Sequence, residues 1–212
     1  MTTILIARHG NTFGPGDTVV RVGRRTDIPL VESGKQQARN LGVYLKSLAI
    51  PPTAVFTSNL KRTIETANIA LDIANIKIPI KSSAIFDEID YGPDEAKTDQ
   101  EVIARIGAQA LVDWDSAAIV PPGWLIDPQQ LIANWRAFAA DIADKYNGKT
   151  VLVVTSNGIA RFAPYLCNDF VDFSKNFKIK LATGAIGALS NTKGSWEVGF
   201  WNKVCVDVLG IS

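Results

Sequence analysis

The one histidine in 212 residues stands in the run Ile4-Leu5-Ile6-Ala7-Arg8-His9-Gly10-Asn11-Thr12, so any imidazole chemistry in this chain passes through His9. A neutral imidazole can attack phosphorus, giving a phosphohistidine that water later opens, which splits one hard step into two easier ones. Arg8 sets a permanently charged fork beside it, suited to phosphate oxygens. Gly10 permits a sharp turn whose exposed N–H groups can cradle an anion. On its own, a histidine at a strand end more often just satisfies a hydrogen bond, so the rest of the chain has to decide.

Three other stretches carry groups such chemistry needs. Arg62 has the fixed charge required around phosphoryl oxygens; the plain alternative is a solvated helix residue paired with Glu65 at i+3. Asp87, Glu88, Asp90, Asp94 and Glu95 form an acidic loop that is either a solvated face or the source of a general acid and base, and the residues alone do not choose among them. Ser156-Asn157-Gly158 offers hydrogen-bond donors after a second apolar run, or simply caps the next helix. Arg21, Arg24 and Arg25 make a basic row that suits either a second anionic group on a substrate or open solvent.

Taken in order along the chain, Arg8-His9-Gly10-Asn11-Thr12, Arg25-Thr26-Asp27-Ile28-Pro29-Leu30, Ser33-Gly34-Lys35, Ser58 to Ala67, Phe86 to Gly92 and Val151 to Arg161 resemble the motifs of the histidine phosphatase superfamily, the phosphoglycerate mutase-like family. The resemblance covers nearly the whole chain. It implies a three-layer α/β/α sandwich with a mostly parallel central sheet, and hydrolysis of a small phosphate ester through a phosphohistidine on His9. It also implies Glu88 as proton donor, with Arg8, Asn11, Thr12, Arg62, Asn157 and Gly158 around the phosphoryl group. No metal or cofactor is implied. Asn157 stands where the family pattern has a second histidine, so the alternative is a phosphate-binding or regulatory pseudophosphatase with impaired turnover. Hydrolysis is expected over mutase chemistry, because the family's mutases resemble a longer chain and Pro15 replaces their substrate-contacting asparagine.

Other phosphatase chemistries fail on spacing. Neither Cys167 nor Cys205 has an arginine six residues on, the place being held by Phe173 and Ile211. Asp113-Trp114-Asp115-Ser116-Ala117 is only a faint match to an aspartate-nucleophile signature, and no P-loop pattern occurs. With 22 Lys+Arg against 21 Asp+Glu there is no global basic field for nucleic acid. No apolar run approaches a membrane span and no basic leader precedes Thr3 to Ala7, so a cytoplasmic protein without membrane partners is expected, in keeping with two unpaired cysteines. The expected partner is a small-molecule phosphate ester.

The elements that must position these residues follow from periodicity. Thr3 to Ala7 and Thr150 to Thr155 are short β-branched runs without alternation, as in strands covered on both faces. Ala38, Leu41, Leu45 and Leu48 mark a helix ending before Pro51-Pro52. Ala54 to Thr57 reads as a strand, Asn59 to Ile73 as a helix, and Ile78 to Ile80 as a strand. A helix is expected over Asp99 to Leu111, an irregular connection over Asp113 to Asp127, and a long helix from Pro128 to Asn147-Gly148. Gly184 to Leu189 and Trp196 to Trp201 read as a hairpin turning within Ser190 to Ser195. One domain spanning 1–212 is expected, with a less regular insertion at about 86–127.

Overall fold

The computed structural model describes residues 1–167 and 170–205. β1 (Thr2–Arg8), β2 (Pro52–Thr57), β3 (Ile80–Ser82), β4 (Thr150–Thr155), β5 (Ala185–Thr192) and β6 (Ser195–Val204) form one sheet in the order β3-β2-β4-β1-β5-β6. β3, β2, β4 and β1 are mutually parallel, while β5 pairs antiparallel with β1 and β6 antiparallel with β5. β5 therefore alone opposes the common direction. Parallel strands need crossovers: α1 (Glu32–Ser47) links β1 to β2, which lie on either side of β4, and α2 (Lys61–Ala74) links the neighbours β2 and β3.

The unalternating strands are explained by burial on both faces. Ile4 and Ile6 of β1 point into one core with Val151, Val153, Phe86, Trp135 and Phe138. Leu5 and Ala7 point the other way, to Leu152, Val154, Leu41, Leu45 and Leu71. α1 and α2 cover the second core side by side, and α5 (Pro128–Lys145) covers the first. These are the three layers the sequence implied. Proline at the first turn of α5 costs no hydrogen bond, and Asp127 Oδ1 caps it, accepting from the N–H groups of Gln129 at 3.0 Å and Gln130 at 3.1 Å.

Two expectations need correction. The helix expected over Asp99 to Leu111 is two, α3 (Asp99–Ile106) and α4 (Ala108–Ala117), because Gly107 between them takes a φ of +81° that no helix contains. α4 thus extends into the stretch read as an irregular connection. The third strand lies at Ile80–Ser82 rather than Ile78 to Ile80, since Pro79 has no N–H to give a ladder and pairing with β2 starts at Val55 and Ile80. The hairpin turns at Lys193 and Gly194, with φ of 55° and 88°, a two-residue turn whose twist suits the flanking strands. Its arms run longer than expected. No described helix is long and apolar enough to cross a membrane.

Candidate active site

Arg8 and Thr155 are partners in the β1–β4 ladder, and the His9 N–H extends it by donating to the Thr155 carbonyl at 3.0 Å. The turns carrying His9 and Asn157 therefore leave adjacent central strands at the same carboxyl edge, where open α/β sheets collect ligands. A cleft of 460 Å³ lies there, lined among others by Arg8, His9, Asn11, Thr12, Glu88 and Asn157. A larger hollow of 650 Å³ beside Arg136 and Lys193 has no histidine, cysteine or carboxylate in its lining, so the smaller one is the candidate site.

His9 is buried, and its Nδ1 lies 2.7 Å from the Gly10 carbonyl. A carbonyl only accepts, so Nδ1 carries the proton and Nε2 is the bare nitrogen. Burial, then the charges of Arg8 and Arg62, hold the imidazole well below its usual pKa, which favours the neutral ring. Neither thiol competes, as burial pushes Cys167 up to about 11 and Cys205 up to about 12.

Arg62 enters from the first turn of α2 and is fully buried. Its Nη1 donates to Thr26 O at 2.8 Å and its Nη2 to Gly23 O at 3.2 Å. Glu65 does not pair with it, because Glu65 Oε2 accepts from the Leu30 N–H at 2.9 Å. Arg8 Nη1 donates to the Leu181 carbonyl at 3.0 Å. The Nε of Arg8 and of Arg62 are both buried without a partner, a costly state that a bound anion would relieve.

Glu88 is buried beside them. Its Oε1 accepts from the Ile89 N–H at 2.9 Å and its Oε2 from the Gly158 N–H at 3.4 Å. Burial raises its carboxyl above the ordinary range, against the opposing pull of those bonds and of Arg62 and Arg8. The rest of the acidic loop is dispersed. Asp87 accepts from Asn59, Asp90 from the Gly92 N–H, Asp94 from Arg105 and Trp124, and Glu95 from Gly23 and Thr26. Of these five carboxylates, only Glu88 lines the cleft.

Asn157 opens α6 (Asn157–Ala160), and its Oδ1 accepts from the Leu181 N–H at 2.9 Å. The amide N–H groups are left to the cleft. Capping is not the role of this segment, since no side chain caps α6 and Ser156 Oγ is buried without a partner. Gly158 spends its N–H on Glu88, and Asn11 is tied into the turn, its N–H on Gln37 at 2.8 Å and its Nδ2 on Ser33 at 3.4 Å. Of the basic row only Arg21 lines the cleft; Arg24 is exposed, and Arg25 pairs with Asp90 at 3.2 Å.

The family model of the histidine phosphatase superfamily, branch 1, matches residues 4–204. The chain belongs to that superfamily. A 2,3-bisphosphoglycerate-dependent phosphoglycerate mutase of Bifidobacterium longum (strain DJO10A) is 33% identical over 142 residues, 66% of this chain and 55% of the mutase, so the chain spans about half the length of that relative. Among solved structures, a mycobacterial glucosyl-3-phosphoglycerate phosphatase complexed with VO3 superposes with a TM-score of 0.78 at 19% identity, covering 94% of this chain and 98% of that one. The alpha-ribazole phosphatase of Shigella flexneri gives 0.72 at 20% identity, covering 95% and 96%. At such identities the superpositions establish the histidine phosphatase fold.

Among the residues that line the cleft but were not placed there by sequence reasoning are Tyr91, Trp114, Asp115, Arg161 and Lys180. Arg161 carried a usable signal, since it falls four residues after Asn157 and so one helical turn above it. Trp114 and Asp115 drew notice only as part of a faint aspartate-nucleophile match, and nothing local placed them beside His9.

Proposed function

We propose that the protein hydrolyses small phosphomonoesters through a phosphohistidine on Nε2 of His9. The observation that carries this reading is the Nδ1 to Gly10 carbonyl bond of 2.7 Å, which leaves Nε2 unprotonated beside two guanidinium groups with unpartnered Nε atoms. Arg8, Arg62 and the Asn157 amide hold the phosphoryl oxygens, with Thr12 and Asn11 completing the rim. Glu88, kept protonated more readily by burial, gives its proton to the leaving alkoxide and then takes one from the attacking water. The N–H of Gly158 aims Glu88. Balance is simple: the phosphorus–oxygen bond to the alcohol breaks as the nitrogen–phosphorus bond forms, and water reverses the second. The likeness to phosphatases and mutases supports phosphate-ester chemistry at this edge of the sheet.

A second reading rests on Asn157. Its side chain brings no charge to the phosphoryl group, and its carbonyl is already committed to Leu181, so a phosphate-binding protein with little turnover is the alternative. One experiment separates them. Incubation with p-nitrophenyl phosphate should give phosphate release that resists chelators and vanishes in His9→Ala. Persistence in His9→Ala refutes the nucleophile; binding of phosphate without release from a broad ester panel selects the second reading.

A further inference from the structure

The charges of the cleft fall into two sets. Arg8 in the lining and Arg62 just behind it keep buried Nε atoms without partners, and Glu88 is the carboxylate that acts on both. Each of the other cations of the lining already faces a carboxylate. Arg21 pairs with Asp99 at 2.8 Å, while Asp115 takes Lys180 at 2.7 Å and Arg161 at 3.5 Å. Arg161 is further committed, its guanidinium lying 4.0 Å over the Trp114 ring and donating to the carbonyls of Trp114 and Asn157. Burial alone would raise the Asp115 carboxyl, but its two cations outweigh that and hold it below the usual carboxylate range, so it stays ionised. Phe13, Val19, Val20 and Leu111 add apolar side chains to the lining.

We infer that Asp115 is a specificity-determining residue: by occupying Lys180 and Arg161 it denies partners to a second anionic group, and so selects monophosphate esters with an uncharged, partly apolar leaving group. This rests on the phosphate-ester reading of the same cleft. A dianionic phosphoryl group is matched by Arg8 and Arg62. A further carboxylate or phosphate on the leaving group would have to displace a tethered carboxylate from Lys180, and would meet that carboxylate's charge on the way in. The basic row at Arg21, Arg24 and Arg25 does not change this, because Arg21 is paired and the other two do not line the cleft.

Phosphonates test the point without turnover. Binding of phenylphosphonate and of 4-carboxyphenylphosphonate to the full chain is compared by calorimetry at low ionic strength, with orthovanadate as a reference anion. Phenylphosphonate, which carries no second charge on its ring, should bind about tenfold tighter or more. Asp115→Asn should narrow that ratio several-fold and Lys180→Gln should widen it, each in a variant that still unfolds cooperatively. Equal or tighter binding of the carboxylated ligand to the wild type overturns the inference, as does a ratio that neither substitution moves. Failure of both phosphonates and of orthovanadate to bind would instead sink the phosphate reading, and this inference with it.

Discussion

Glu88 and Gly158 meet so closely that a side chain at 158 has no room: a Cβ built there would lie 2.2 Å from Glu88 Oε1, on the same residue whose N–H donates to Glu88 Oε2 at 3.4 Å. Gly158→Ala must therefore move the carboxylate or the turn. General acid catalysis contributes roughly 10²–10⁴-fold, so turnover should fall about a hundredfold, with about 1–3 kcal/mol of stability lost to overpacking. Gly199→Ala is the control, its Cβ meeting nothing nearer than 3.8 Å. Equal effects of the two substitutions in rate and urea-unfolding assays would show that Glu88 is not aimed by this contact.

Glu88→Gln keeps the shape of the side chain and removes the exchangeable proton. Hydrolysis of alkyl phosphates, whose alkoxide needs protonation, should drop far more than that of p-nitrophenyl phosphate. A slope of rate on leaving-group pKa that matches the wild type would contradict the proton-donor role. Asp87→Asn and Asp90→Asn, whose carboxylates bond Asn59 and Gly92, should leave that slope alone.

Because His9 is the only imidazole, its titration can be isolated. Its folded pKa is depressed from the ordinary 6.5, so its contribution is fully present above that value. As pH falls, the unfolded chain takes up a proton that the folded one refuses, and stability drops by up to about 1.4 kcal/mol per pH unit until the folded pKa is reached. Urea unfolding of wild type against His9→Gln should diverge in slope below about pH 6.5. Parallel curves would mean the ring is not held neutral.

Asn157→Asp is nearly isosteric and retains an acceptor for the Leu181 N–H. It replaces the cleft-facing donor by a negative charge where the phosphoryl group sits. Phosphate affinity should fall about tenfold or more, given roughly 1.5–3 kcal/mol for a hydrogen bond to a charged group. Unchanged phosphate affinity by calorimetry would remove Asn157 from the site.

The layers and the central strands were legible because their physics is local. Thr150 to Thr155 is apolar without alternation, which only a strand covered on both faces explains, and Pro128 with Asn147-Gly148 brackets α5 by turn chemistry. The break at Gly107 was not legible, since a glycine inside a helical pattern is often tolerated and nothing in the residue itself announces the φ of +81° it adopts. Of the site, His9 and Arg8 stood out by residue type, and it took the motifs along the rest of the chain to assign them to phosphate chemistry. Glu88 was not separable from Asp87, Asp90, Asp94 and Glu95 without the family motif, because what distinguishes it is that the others each find a donor elsewhere. Arg62 could be read as an ion pair with Glu65 until the structure placed Glu65 on the Leu30 N–H. The pairing of Asp115 with Lys180 joins residues 65 apart in sequence, a distance at which no local pattern speaks.

The central claim is that Nε2 of His9 accepts the phosphoryl group, and a rapid-quench experiment tests it most directly. The protein is mixed with excess p-nitrophenyl phosphate, denatured in alkali within the first turnover, digested and sequenced by mass spectrometry, with ³¹P NMR of the unfolded protein to assign the nitrogen. The account predicts one added phosphoryl group on His9, bonded at Nε2, stable in alkali, lost in acid and absent from His9→Ala. Turnover with no phosphoryl group trapped on His9, or with the group found at Nδ1 or on another residue, would contradict it.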